Sequence, residues 1–227
     1  MSILCIVAHP DDEVLGMGGT LARHAADGED VHVCILSDGV TSRYDEVTEA
    51  AEEEITRRRR KARAACDRLD VETLSIHEYP DNQFDTVPLL DIVQTIESEI
   101  SSHEPDVVYT HHHGDLNIDH ELTCRAVVTA TRPMADSGIK RVLASETLSA
   151  SEWSVPDQSN AFQPTSFAAI ADQLENKIAA LECYDEELRN HPHPRTVKTV
   201  RQNAEVWGAK AGVRAAEPFE LLREVRR

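Results

Sequence analysis

Residues 3–13 read Ile-Leu-Cys-Ile-Val-Ala-His-Pro-Asp-Asp-Glu, an apolar run that ends in one histidine and three carboxylates. Six apolar residues that include Ile and Val are typical of a strand buried on both faces, because a helix needs more length. Pro10 ends the strand since it has no N–H to donate. Ligands bind at the carboxyl ends of strands in an open α/β sheet, so we expect His9, Asp11 and Asp12 at a functional site. The alternative is that an Asp after Pro is ordinary helix-start chemistry.

A second stretch of the same kind lies downstream. Residues 106–120 read Asp-Val-Val-Tyr-Thr-His-His-His-Gly-Asp-Leu-Asn-Ile-Asp-His, again an apolar strand that leads into a loop rich in His and Asp. If this strand lies beside the first, the two loops face each other and His9 and Asp12 meet His120. Two imidazoles and one carboxylate suit Zn²⁺, or another divalent transition metal, and leave a position open for water.

Buried strands alternate with helical patterns along the rest of the chain. This alternation predicts an α/β fold with a Rossmann-like, doubly wound, mostly parallel sheet and helices on both faces. We expect further strands at 31–36, 71–77 and 142–144, and helices at 15–26, about 45–69, 89–100, from 119 onward, at 167–187 and at 197–210. A chain of 227 residues is predicted to form one domain, residues 1–227.

Glycines cluster early in the first predicted helix. Gly16, Gly18 and Gly19 invite a dinucleotide-binding interpretation, but such a motif directly follows its strand, and here acidic residues occupy that place. We expect these glycines to let the helix pack close to the sheet or the metal loop.

The two histidine- and aspartate-rich stretches resemble those of the PIG-L/LmbE-like family of zinc-dependent N-acetylglucosaminyl deacetylases. The resembling motifs are Ala-His-Pro-Asp-Asp-Glu at 8–13 and Asp-x-Asn-x-Asp-His at 115–120, and the resemblance extends to about Phe219. It implies one Zn²⁺ per chain held by His9, Asp12 and His120, with Asp11 as the general base.

The second motif departs from the family pattern at Asn117, where a His is common. An Asn side chain can donate a hydrogen bond to an oxyanion but cannot carry a proton, so an acid role at this position is in doubt. Asp119 could orient the group that acts instead. The candidates for the missing imidazole are His111, His112, His113 and His193.

Substrate contacts are predicted from two further segments. The run Arg57–Arg60 spans every face of a helix, so at most one or two of these side chains can face a pocket, and we choose Arg58 by resemblance. Residues 80–85 resemble a family segment near the substrate, which suggests Asp81, although Asp-Asn after Pro is also ordinary turn chemistry. We add His112 and His193 as candidate substrate-binding residues.

The resemblance implies a hydrolase that removes an acetyl or other acyl group from an N-acetylated amino sugar or glycoconjugate through metal-bound water. One alternative is a hydrolase of another small amide, and a second is a non-catalytic or nucleotide-binding Rossmann-like domain. The chain has no Gly-x-Ser-x-Gly nucleophile elbow and no Walker phosphate loop.

Composition restricts the partners and the compartment. The net charge of −18 comes from 41 acidic and 23 basic residues, a balance that disfavours nucleic acid and anionic membranes as partners. A lysine-poor acidic surface resembles that of proteins from salt-loving organisms. The sequence starts without a basic stretch followed by an apolar signal segment, so we expect a soluble, cytoplasmic protein. A homo-oligomer is compatible with this composition. The five scattered cysteines argue against a disulfide framework and against a thiolate metal site.

Overall fold

The computed structural model describes residues 1–40, 42, 49–134, 137–155 and 157–226. Its strands are β1 (Ser2–Val7), β2 (Asp30–Ser37), β3 (Thr73–Tyr79), β4 (Val107–His111), β5 (Arg141–Ser145), β6 (Ser166–Ala169) and β7 (Ala216–Glu224). Its helices are α1 (Asp12–Ala26), α2 (Glu49–Arg68), α3 (Leu89–His103), α4 (Ile118–Ala130), α5 (Leu174–Leu181) and α6 (Val197–Ala211). The predicted start of the second helix, about Asp45, lies outside the described residues.

The strands form one seven-stranded sheet in the order β3-β2-β1-β4-β5-β7-β6. Strands β1 to β5 are mutually parallel, and β7 runs antiparallel to both β5 and β6. The predicted α/β class with a mostly parallel sheet is therefore confirmed. The chain order reverses between β1 and β4, which are hydrogen-bonded neighbours with Ile3 opposite Val107. Their carboxyl ends meet at the switch point, where open α/β sheets bind ligands.

Each face of the sheet has its own hydrophobic core. Alternate residues of β1 point to opposite faces, with Ile3 and Cys5 on one side and Leu4 and Ile6 on the other. Buried side chains of α1, α2, α5 and α6 cover the first face. Those of α3 and α4 cover the second. Because both faces are covered, the central strands are apolar throughout rather than alternating.

The glycines of α1 allow close packing, as the sequence predicts. A Cβ on Gly16 would lie 2.6 Å from Ser145 Oγ at the end of β5, and one on Gly19 would lie 2.7 Å from Ile170 Cδ1. The helix therefore contacts the sheet at distances that a larger residue would prevent.

The predicted helix at 167–187 is wrong in its first part. Residues 166–169 instead form β6, which pairs with β7 through contacts such as Phe167 opposite Pro218. The helix begins only at Leu174. The backbone of β7 gains a hydrogen-bonded partner from this pairing, a tertiary effect that outweighs the local helical pattern. Among the helices that the structure describes, none is long and apolar enough to cross a membrane.

Candidate metal centre

The loop after β1 sends two neighbouring aspartates in different directions. Asp11 is the N-cap residue of α1 and has a φ of 111°, a left-handed conformation that is rare for a residue other than Gly. The Asp12 carboxylate turns back, accepts a hydrogen bond from His9 N at 2.9 Å and faces β4. The Asp11 carboxylate faces a cavity instead. The sequence-based expectation that the two carboxylates serve different purposes fits this geometry.

Side chains from the ends of β1 and β4 converge on the Asp12 carboxylate. His9 Nδ1 lies 3.4 Å and His120 Nε2 lies 3.2 Å from Asp12 Oδ2. One ligand atom from each of these three residues lies within 4.8 Å of the others, and all three residues are buried. The structure therefore brings together the three predicted metal ligands, although His120 is more than a hundred residues from the other two in the chain.

The outer nitrogens of both imidazoles face further carboxylates. His9 Nε2 lies 2.9 Å from Asp119 Oδ2 and 3.2 Å from Asp81 Oδ1. His120 Nδ1 lies 3.2 Å from Asp115 Oδ1. A carboxylate at the outer nitrogen holds the proton there, so the inner nitrogen keeps its lone pair for a metal ion.

Asp119 is thus placed behind His9, a candidate metal ligand. Its carboxylate also accepts hydrogen bonds from Asn82 N at 2.6 Å and from Phe84 N at 3.0 Å. The Asp119 carboxylate, which belongs to α4, therefore contacts both His9 and the loop after β3. Its position supports a role in orienting His9.

The charges of this cluster attract a cation. Burial lowers the pKa of His9, but hydrogen bonds to Asp119 and Asp12 outweigh it and raise the pKa to about 10. Burial likewise lowers the pKa of His120, and the carboxylates of Asp12 and Asp115 raise it to about 9. Burial raises the pKa of Asp12, but the charge of His120 and the hydrogen bonds from His120 and His9 hold it well below its usual value. The donor set therefore fits a divalent cation, which would replace the two imidazole protons.

His111, one candidate for the missing imidazole, lies behind the cluster. Ala8 N donates a hydrogen bond to His111 Nε2 at 2.9 Å, and the His111 ring stacks on His120 with centroids 3.9 Å apart. Burial lowers the pKa of His111 to about 3, so this imidazole is neutral. A neutral ring whose Nε2 accepts a backbone proton cannot act as an acid at that nitrogen.

A cavity of about 550 Å³ opens beside the cluster, a volume that suits a small molecule. The residues that line it come from the loops after β1, β2, β3, β4 and β5, from α2 and from the segment before α6. They are His9, Asp11, Asp12, Gly39, Ser42, Arg58, Asp81, Asn82, Leu116, Asn117, Ile118, His120, Ser149, Ala150, Trp153, Glu187 and Arg195.

Two arginines flank the Asp11 carboxylate in this cavity. Arg195 Nη1 lies 2.9 Å and Arg58 Nη2 lies 3.6 Å from Asp11 Oδ2. Arg58 also donates to Glu187 Oε1 at 2.7 Å and to Pro10 O at 2.8 Å. Burial raises the pKa of Asp11 to about 6, although Arg195 and Arg58 oppose the rise. A carboxyl group with this pKa can both accept and release a proton near neutrality.

Sequence reasoning missed Arg195 and Glu187. Arg195 follows Pro194 in a segment whose sequence predicts only a break between helices. Glu187 lies at the end of the region predicted to be helical. Neither residue belongs to a motif, and each reaches Asp11 or Arg58 only through the folding of the C-terminal third of the chain.

The predicted substrate residues divide into two groups. Arg58 and Asp81 line the cavity. His112 does not, because its Nδ1 lies 2.7 Å from Glu220 Oε2 and its Nε2 lies 2.8 Å from Asn160 O. His193 is also outside the lining, but its ring packs edge-on against Trp153 with centroids 5.5 Å apart. His193 therefore lies behind the cavity wall and His112 lies away from it.

Asn117 lines the cavity and begins α4. Its Oδ1 accepts a hydrogen bond from Asp119 N at 2.9 Å, the usual N-cap contact, and its Nδ2 donates to Asn82 Oδ1 at 3.2 Å. The side chain thus has a structural partner for each of its polar atoms.

Comparisons with known proteins find a matching family and related enzymes. A family model described as PIG-L, GlcNAc-PI de-N-acetylase, matches residues 4–131. A 4-oxalmesaconate hydratase of Pseudomonas putida is 30% identical over 196 residues, 80% of this chain and 72% of that enzyme. A 1D-myo-inositol 2-acetamido-2-deoxy-alpha-D-glucopyranoside deacetylase of Rhodococcus opacus is 60% identical over 38 residues, 16% of this chain. That match spans only 13% of the deacetylase.

Among solved structures, the N,N'-diacetylchitobiose deacetylase of Pyrococcus horikoshii resembles this chain with a TM-score of 0.77. The sequence identity is 19%, and the alignment covers 97% of this chain and 83% of that one. At this identity the similarity is one of fold.

Proposed function

Because the chain belongs to the PIG-L family of de-N-acetylases, we propose that it is a zinc-dependent hydrolase that removes an acetyl group from an N-acetylated amino sugar or glycoconjugate. One observation carries the proposal: His9, Asp12 and His120 place their ligand atoms together beside a cavity into which the Asp11 carboxylate points. Three N/O ligands beside an open cavity are the arrangement of catalytic zinc sites, whereas structural sites are closed by four protein ligands.

The roles of the chain's own residues follow from their positions. His9, Asp12 and His120 would hold the ion, and Zn²⁺ there would supply a water of pKa about 7 and a Lewis acid for the amide carbonyl. Asp11 accepts the proton of the attacking water and later donates it to the leaving amine, while Arg195 keeps its carboxylate in place. Asn117 is the candidate hydrogen-bond donor to the carbonyl oxygen, provided that its Nδ2 exchanges Asn82 for the substrate.

The cavity wall supports a sugar-like substrate. Trp153, Leu116 and Ile118 offer apolar surface on which a sugar ring can pack. Asp81 and Asn82 offer carboxylate and amide groups for hydroxyls. Mixed walls of this kind are typical of sites for small polar ligands.

Metal content and acetate release test the proposal together. We expect dialysed wild-type protein to retain stoichiometric zinc and to release acetate from N-acetylated amino sugars. Asp11→Asn should keep the metal and lose most turnover, whereas His120→Ala should lose both. Asp172→Asn is a matched control, since Asp172 is an exposed carboxylate outside the cavity lining. Retained metal and activity in both site variants would refute the assignment.

Hydration of a carbon–carbon double bond is a second candidate. It is favoured by the hydratase of Pseudomonas putida, whose match covers 80% of this chain. Asp11 would again move the proton, with water added across the double bond rather than to an amide carbon. Loss of the absorbance of an unsaturated polycarboxylate, without any acetate release from N-acetylated sugars, would favour hydration.

We also propose that residues 1–227 act as a single cytoplasmic domain that binds neither nucleic acid nor membrane. The net charge of −18 supports this, because such a field repels both polyanions.

A further inference from the structure

The packing of α3 against the edge of the sheet contains a second group of metal-ligand side chains. The face of the sheet beneath α3 is apolar near the centre, where Leu4, Ile6 and Ile96 pack together. Toward the edge strand β3, polar residues replace the apolar ones. We call Cys34, His77, Glu99 and His103 the edge cluster.

The strand register places Cys34 and His77 on one face. Cys34 of β2 lies opposite Ser75 of β3, and His77 follows two residues later, so it projects to the same side. Cys34 packs in the core beneath α3, which identifies that side as the α3 face. Glu99 and His103 lie one turn apart on α3; Glu99 reaches His77 of β3, whereas the His103 ring stacks on His32 of β2 with centroids 4.0 Å apart.

Three side chains of the edge cluster already hold their ligand atoms close together, and the fourth, His103, contacts one of them. His77 Nε2 lies 2.9 Å from Glu99 Oε1, and His103 Nε2 lies 3.4 Å from Glu99 Oε2. A ligand atom each from Cys34, His77 and Glu99 lies within 4.8 Å of the others. Bonds of about 2.0–2.3 Å to Zn²⁺ place tetrahedral ligand atoms roughly 3.3–3.8 Å apart, so small side-chain rotations would suffice.

We propose that Cys34, His77 and Glu99 form a second metal site for Zn²⁺ or a similar divalent transition ion, with His103 adjacent to the fourth position. Thiolate sulfur, imidazole nitrogen and carboxylate oxygen are each donors that Zn²⁺ takes in proteins. The His77 side chain is 31% exposed, so the ion can reach the site from solvent. On binding, Cys34 forms a bond from sulfur to the ion and releases its thiol proton to solvent.

The edge cluster differs from the candidate metal centre in its ligands and its position. The candidate metal centre has only imidazole and carboxylate donors, whereas the edge cluster adds a sulfur. It joins β2, β3 and α3, and β3 leads into the loop that carries Asp81 and Asn82 to the cavity. A metal ion here would fix the edge strand and that loop. Sequence spacing does not reveal the cluster, because its ligands come from three separate elements.

Cobalt binding distinguishes the edge cluster from the candidate metal centre. We expect His120→Ala protein, which lacks a ligand of the candidate metal centre, to bind an equivalent of Co²⁺ with a thiolate-to-cobalt charge-transfer band in the near ultraviolet. Adding Cys34→Ser should abolish the band. Adding Cys66→Ser should leave it unchanged, because Cys66 is equally buried but packs on the other face of the sheet. Adding His77→Gln, at a partly exposed position that tolerates change, should weaken Co²⁺ binding at least tenfold.

The outcomes do not depend on the proposed enzymatic activity. A cobalt–thiolate band that requires Cys34 and His77 would support the site even if no acetate is released from any substrate. No thiolate band in folded His120→Ala protein would overturn the proposal and leave His77 and Glu99 as a surface ion pair above a buried thiol. The same holds if the band persists without Cys34. If Cys34→Ser does not fold, the His77→Gln comparison decides alone.

Discussion

The replacement Asp119→Asn tests how His9 is held for metal binding. The Asp119 carboxylate receives three N–H groups: His9 Nε2 at 2.9 Å, Asn82 N at 2.6 Å and Phe84 N at 3.0 Å. An amide has only one acceptor oxygen. If the NH₂ group faces His9, the imidazole must move its proton to Nδ1, the nitrogen that faces Asp12. If the amide is flipped, Phe84 N–H is left facing a donor.

Each orientation has a cost that can be estimated. Loss of a carboxylate partner behind a ligating histidine typically weakens metal affinity about 10- to 100-fold, or about 1.4–2.7 kcal/mol. A buried backbone N–H left without an acceptor costs about 1–3 kcal/mol of stability. We therefore expect the dissociation constant for Zn²⁺ to rise about 10- to 100-fold, with a measurable fall in the free energy of unfolding.

Competition with a chromophoric zinc chelator measures the affinity, and urea denaturation of the metal-free protein measures the stability. The Asp172→Asn variant makes the same change in charge at an exposed position and should match wild type in both measurements. If Asp119→Asn binds Zn²⁺ as tightly as Asp172→Asn does, the carboxylate does not set the tautomer of His9 and the reasoning fails.

Three further predictions concern the cap of α4, the Asp11 carboxyl group and the surface charge. Asn117→Ala should lower the free energy of unfolding by about 1 kcal/mol because it removes the N-cap oxygen, and Asn117→Ser should restore most of it in urea denaturation. Arg195→Gln should shift the acidic limb of the kcat/KM profile to higher pH. The reason is that Asp11 must be deprotonated to act as a base, and its raised pKa of about 6 rises further without the Arg195 guanidinium 2.9 Å away. If the acidic limb does not move, that limb reports the titration of another group. With a net charge of −18, the melting temperature should rise with salt, and a constant value would count against a salt-adapted surface.

The strand ends could be predicted from the sequence because short-range patterns determine them. An apolar run followed by His9 and Pro10 marks the end of β1. A second apolar run followed by three histidines marks the end of β4. The rule that ligands bind where strand order reverses then places His9 beside His120 without any distance information. These two stretches predict where the site lies, whereas the fold class follows from the alternation of strands and helices, and the choice of Asp12 over Asp11 as ligand follows from the family resemblance.

The polar surroundings of Asp11 could not be predicted in this way. Arg195 comes from an irregular segment before α6, and Glu187 from the residues after α5. Their contacts with Asp11 and Arg58 depend on how the C-terminal helices pack on α1 and α2, which no local pattern specifies. The strand β6 illustrates the same limit, since its pairing with β7 decides its conformation.

The consecutive histidines after β4 show why residue type alone is a weak guide. Successive strand residues point to opposite faces, so three adjacent imidazoles cannot share one site. His111 stacks on His120 inside the cluster, His112 binds Glu220 on the other side, and His113 is exposed. Only the first is near the candidate metal ligands, and burial lowers its pKa so that it is neutral.

These placements bear on how a proton can move in the candidate metal centre. Asn117 cannot carry a proton, His111 is held neutral, and His112 lies outside the cavity. The Asp11 carboxyl group, with a pKa raised to about 6, can accept a proton from water and return it to a leaving group. We infer that one carboxyl group performs both transfers, and that Arg195 and Arg58 set the balance between them because their charges favour the ionised form. Asp11→Asn should therefore remove base and acid functions together, and an added imidazole buffer should not restore turnover to that variant.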